Sequence, residues 1–110
     1  MNPSVINIMV NEINRHLASS KTVTMGYSKY RDPVPHIKCR DGTRMSVQAG
    51  EYAYCTPRNN QGPWTHVEVM MITNTKPVHF DYPEDDVAAY IPIESVAQEI
   101  LTRGNWIKEF

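Results

Sequence analysis

CRDGTRMSVQAGEYAYCTPR, residues 39–58, holds the sharpest turn signal and the cleanest apolar–polar alternation of the 110-residue chain. Asp41-Gly42 between two alternating runs signals a tight hairpin. A two-residue loop would pair Lys38 with Met45 and His36 with Val47. Ile37 and Cys39 would then lie on the opposite face from Met45, Val47 and Ala49, which wastes both apolar sets. A three-residue loop, Arg40-Asp41-Gly42, with Gly42 in the left-handed position of a bulged turn, gathers all five on one face. The spacing therefore predicts the three-residue loop. It leaves His36, Lys38, Arg44, Ser46 and Gln48 on the other face, a locally basic surface carried by strands, which suits a binding site as well as it suits solvent.

Upstream, Asn2-Pro3 starts a helix, Asn as cap and Pro in the first turn. Val5, Ile6, Met9, Val10, Ile13 and Leu17 recur at helical spacing, and Ser19-Ser20 ends the run. This amphipathic helix is expected to dock on the sheet, with a copy of itself as the alternative. Lys21 to Tyr27 alternates as a strand, with Gly26 marking a bulge or a close approach. Ser28 to Pro35 reads as a loop carrying Lys29, Tyr30 and Arg31. Two cations around a ring can hold a phosphate and stack a base, although solvated loops carry the same residues.

Downstream, Glu51 to Arg58 reads as a short strand with Tyr52 and Tyr54 on one side, Ala53 and Cys55 on the other, ended by Pro57. Trp64 to Ile72 follows as a central strand, Val67, Val69 and Met71 facing one way, His66, Glu68 and Met70 the other. Val78 to Phe80 is a short strand, Tyr82 to Asp86 an acidic loop, and Val87 to Ile91 the last strand. Pro92 opens a helix with Ile93, Val96, Ala97, Ile100 and Leu101 as its stripe, and Gly104 stops it. Trp106 and Phe110 are expected to tuck the tail against a neighbour. The predicted fold is α+β: one domain over residues 1–110, an antiparallel sheet of about five or six strands flanked by an N-terminal and a C-terminal helix.

Composition narrows the function. With 11 basic and 12 acidic side chains the formal charge is −1, which argues against a coat for long nucleic acid. No apolar run approaches the roughly eighteen residues of a membrane span. The N-terminal stretch lacks a basic leader and reads as structure, and two cysteines among six methionines fit a reducing compartment. A soluble cytosolic protein is expected.

Catalysis finds little support. His36, Cys39, Cys55 and His66 form a conceivable zinc set, but the hairpin register turns His36 and Cys39 to opposite faces, so no metal is expected. Cys55 with His66 or His79 lacks the assured electropositive setting of a thiol nucleophile, and Glu84-Asp85-Asp86 suits a solvated turn. No phosphate-binding glycine loop, GxSxG or HExxH occurs. Neither a catalyst nor a cofactor is expected. Binding is better served: Arg44, Arg58, Lys38, Lys29 and Arg31 lie among Tyr30, Tyr52, Tyr54 and Tyr82. Arginine forks grip phosphate, tyrosines stack on bases, and Gln48 and Thr56 can orient a base edge or ribose hydroxyl. A small phosphorylated nucleotide fits this set.

DGTRMSVQAGEYAYCTPR, THVEV and AAYIPIESVAQEI together resemble a family of small phage proteins with a DG-x-x-x-SVQAS-x-x-x-YC-x-PR core, a VEVG-like strand and a YIP-x-E helix start. That family is the Thoeris anti-defence sponges, and the likeness runs from Cys39 to Ile100. It implies a protein that sequesters cyclic ADP-ribose-type immune signals, with cyclic oligonucleotides held by some members. It also implies a dimer or higher homo-oligomer in the cytoplasm of the infected bacterial host. Ser46, Gln48, Tyr54, Thr56 and Arg58 are the matched positions that chemistry also favours; Arg44, Tyr52, Lys29 and Arg31 join them on chemistry. Met70-Met71 stands where the family commonly has a glycine. The alternative function is a phage inhibitor that masks a host defence protein, an anti-CRISPR-like role leaning on the acidic loop.

Overall fold

The computed structural model describes residues 2–25, 28–73, 77–80, 82 and 87–108. Helix α1 (Pro3–Ala18) begins where Asn2 caps it, the side-chain oxygen accepting the Ser4 N–H at 2.8 Å. Its inward stripe is Met9, Ile13 and Leu17. Two strands, β1 (Thr22–Met25) and β2 (Ser28–Arg31), then pair antiparallel as a separate two-stranded sheet, Thr22 opposite Arg31. The stretch expected to be a loop with Lys29 and Arg31 is thus a strand. Its backbone groups find partners in β1, a pairing that does not depend on the apolar alternation that Ser28 to Arg31 lacks. The expected irregularity at Gly26 lies outside the described residues, as do Glu84 to Asp86 and Phe110.

The main sheet runs β3 (Ile37–Lys38), β4 (Arg44–Gln48), β5 (His66–Thr73), β6 (Ala88–Pro92), antiparallel throughout and in that spatial order. It has four strands, fewer than expected. Ile37 faces Met45 and Lys38 faces Arg44, Cys39 N–H donates to Thr43 O at 2.8 Å, and Gly42 has φ 92°. The three-residue loop is therefore the one formed. Ile37, Cys39, Met45 and Val47 are buried with Val67, Val69 and Ile91 in one core that both helices complete, α2 (Ile93–Thr102) through Ile93, Val96, Ala97 and Ile100. The two helices also touch each other.

Two expected strands are absent among the described residues. Residues 51–58 form turns, with only Thr56 bridging to His66. Cys55 is its one fully inward residue, and the thiol ties the turn by lying 3.2 Å from Gly50 O while accepting the Gly50 N–H at 3.3 Å. Val78 to Phe80 fails as a strand because the His79 N–H donates to the Glu99 carboxylate at 2.8 Å and not to a neighbouring strand. Glu99 and Arg103 are only 2 % and 1 % exposed. Their ion pair (2.9 Å) reaches the hairpin through Arg103 Nη1, which donates to Thr43 Oγ1 at 2.7 Å. A buried charge this well partnered fixes the end of α2 against the β3–β4 turn. Trp64, expected to begin β5, instead has its backbone clasped by the Asn14 amide of α1, N–H to Oδ1 at 2.7 Å and Nδ2 to O at 3.2 Å.

Beyond α2, Gly104 (φ 90°) turns the chain, and the tail lies along β3. Arg40 N–H donates to Asn105 O at 3.1 Å, Ile107 N–H to Lys38 O at 2.8 Å, and Trp106 is half-buried. No helix among the described residues is long and apolar enough to cross a membrane.

Candidate functional site

Three stretches far apart in sequence meet at one end of the main sheet: residues 54–58, 65–68 and 90–93. Thr56 N–H donates to His66 O at 3.0 Å and Thr65 N–H to Thr56 O at 2.8 Å. Tyr54 N–H donates to Glu68 Oε2 at 2.9 Å, while Tyr54 O accepts the Tyr90 N–H at 3.1 Å. Ile93 N–H closes the set on Thr65 O at 3.0 Å. With Cys55 drawn inward, its neighbours face out.

The result is an aromatic shelf. The Tyr54 and Tyr90 rings lie 6.1 Å apart at 55°, and Arg58 sits over the Tyr54 ring, its guanidinium carbon 5.9 Å from the centroid. Both rings are about half exposed, at 51 % and 45 %. Tyr90 holds φ 54°, a left-handed conformation that costs a side-chain-bearing residue about 1 kcal/mol or more. Strain of this kind persists where surrounding structure enforces it, and here the Tyr54 carbonyl and the β5 pairing do so. Two π faces and one guanidinium can stack a flat base and hold a phosphate oxygen.

Of the residues expected to bind ligand, Arg58 and Tyr54 meet on this shelf, and Thr56 lies between them in the chain, exposed, its backbone bridged to His66. Gln48 and Ser46 do not reach it as free groups. The Gln48 amide accepts the Val34 N–H at 3.0 Å and donates to Val34 O at 3.1 Å and to Ser46 Oγ at 3.0 Å. Tyr52 lines a neighbouring hollow of about 270 Å³ together with Asp32, Glu51 and Glu68. Three carboxylates there oppose phosphate. Lys29 and Arg31 lie on β2, and their side chains fall outside the described residues.

Arg44 stands elsewhere, in a groove of about 690 Å³ between α1, the β3–β4 face and the tail. Arg15 and His16 come from α1, His36, Lys38 and Arg44 from the hairpin, and Trp106 and Lys108 from the tail. His16 donates to Pro35 O at 2.9 Å and meets the Trp106 ring edge-on at 4.9 Å. Lys108 pairs with Glu12, whose carboxyl it holds below the usual range, Arg15 (3.1 Å) adding to the effect.

The polar strand face of His36, Lys38 and Arg44 was legible in the hairpin register. Arg15, His16, Trp106 and Lys108 were not, because helix and tail meet it only in three dimensions. Tyr90 was missed: it lies in AAYIP two residues before Pro92, and no local pattern announces its left-handed turn. No protein-family model, no curated protein and no solved structure matches this chain.

Proposed function

We propose that this protein binds a small cyclic nucleotide and holds it intact, as the resemblance to phage-encoded Thoeris anti-defence sponges implies. Its ligand would be a cyclic ADP-ribose isomer or a cyclic oligonucleotide, and its setting the cytoplasm of an infected bacterium. The observation that carries this reading is the meeting of Tyr54, Arg58 and Tyr90, which belong to the stretches on which the resemblance rests. A base stacks on Tyr54 or Tyr90, Arg58 holds a phosphate, and the Thr56 hydroxyl fixes orientation. The shelf is open on one side, so a second copy of the chain facing it in a dimer or higher oligomer would enclose the ligand.

Purified protein incubated with cyclic ADP-ribose isomers and cyclic di- and trinucleotides, then filtered and denatured, should release an intact nucleotide. Arg58→Ala should weaken that capture by about tenfold or more, the loss of one charge-assisted contact. Unchanged affinity in a folded Arg58→Ala protein would refute the assignment, and a cleaved product would make the protein an enzyme. A second reading, masking of a host defence protein, draws on Met70 and Ile72, which stand exposed on the outer face of the same sheet. It predicts a stable protein complex and no retained nucleotide.

A further inference from the structure

We propose that His79 is a phosphoryl-acceptor site, an imidazole that a buried carboxylate holds ready to take a phosphoryl group on Nε2. Glu99 is only 2 % exposed, and its Oε1 accepts both the His79 backbone N–H at 2.8 Å and the ring Nδ1 at 2.7 Å. Its Oε2 takes Arg103 Nε at 2.9 Å, and Arg103 Nη2 reaches on to Pro77 O at 3.2 Å. Paired with a guanidinium, Glu99 is a carboxylate that only accepts. The hydrogen of the neutral ring therefore sits on Nδ1 and the lone pair on Nε2. The His79 side chain is 66 % exposed, and among the described residues its Nε2 has no hydrogen-bond partner. The other three histidines are held differently. His16 meets the Pro35 carbonyl, His36 the Arg44 guanidinium, and His66 the Thr65 hydroxyl.

Attack by Nε2 builds positive charge on the ring. A carboxylate on the Nδ1–H stabilises that imidazolium and fixes the direction of the lone pair. With a phosphoramidate protonated on nitrogen as donor, the step balances. The Nε2 lone pair forms the new N–P bond, the donor's own P–N bond breaks with its electron pair, and neutral ammonia leaves. Nδ1 keeps its hydrogen, and the ring cation faces Glu99. A hollow of about 330 Å³ adjoins the ring, lined also by Ser95, Gln98 and Thr102. Their hydroxyl and amide hydrogens suit phosphoryl oxygens. The place is distinct from the aromatic shelf, which meets α2 at its first residue, Ile93, whereas the Glu99–Arg103 pair lies at the far end of that helix.

Incubating the full chain with potassium phosphoramidate, and mapping the adducts over time by mass spectrometry at neutral pH, tests this. His79 should be phosphorylated about tenfold or more faster than His16, His36 and His66. That preference should vanish in urea, where the Glu99 contact is gone. Glu99→Gln, which keeps an acceptor for Nδ1 but removes the charge, should slow His79 by about tenfold. Nitrogen NMR shifts of the ring in the unmodified protein depend on no variant folding, and should place the hydrogen of the neutral ring on Nδ1. The proposal is overturned by even phosphorylation of the four histidines, by a preference that survives in urea, by an unslowed Glu99→Gln protein that melts like the parent, or by a neutral ring with its hydrogen on Nε2.

Discussion

Gln48 shows how a side chain placed for recognition by its type can be consumed by architecture. Its amide treats Val34 as a neighbouring strand would, donating and accepting at once. Val34 is buried, so Gln48→Ala should strand two backbone groups and cost about 1–3 kcal/mol in urea unfolding. A residue that served only a ligand would leave stability unmoved. Cys39 makes a different point. Burial, with the Asp41 charge adding, pushes its thiol up to about 11 from an ordinary value of 9.0. Below 9.0 the proton is bound in folded and unfolded chains alike, and nothing is lost. Above it the unfolded chain ionises first, so stability falls as pH rises through about 11, by up to roughly 2–3 kcal/mol. Urea midpoints from pH 8 to 11 should therefore drop more steeply in the parent chain than in Cys39→Ala.

At the level of elements, the β3–β4 hairpin was legible because two apolar sets had to share one face, and only one loop length allows it. Gly42 at φ 92° is the residue that this loop depends on. Gly42→Ala should cost about 1–2 kcal/mol by thermal or urea unfolding, and Gly42→Asn less. The helices were legible from their stripes for the same reason of periodicity. Residues 51–58 were not, since their alternation holds a single inward anchor, Cys55. The segment's backbone is satisfied instead by Glu68 and Tyr90, partners that no local pattern announces. The β1–β2 pairing was half legible: its first strand alternates, its second does not. At the candidate site, Tyr54, Thr56 and Arg58 could be named from chemistry and motif, whereas Tyr90 acquires its place from a backbone conformation that the sequence does not spell out.

For the whole molecule, the tail behaves as part of the body. It covers Cys39, supplies Trp106 and Lys108 to the groove, and joins α1 through Glu12 and His16. A chain ending at Gly104 should lose roughly 2–4 kcal/mol of stability from the lost Trp106 contacts and backbone bonds. Its Cys39, slow to alkylate at pH 8 in the full chain, should label quickly. Thiol labelling read by mass spectrometry separates the two. The tail also changes what the sheet offers to other chains. One edge is sealed where Ile107 and Asn105 take up Lys38 and Arg40. At the other edge, the Tyr90 N–H is spent on Tyr54 and Pro92 has none to give. An exposed strand edge is a template on which a foreign strand can zip, and among the described residues these contacts occupy backbone groups at both margins of the main sheet. Strand addition there would have to displace the tail on one side or the Tyr54 carbonyl on the other, so a neighbour meets the main sheet more readily broadside on a face.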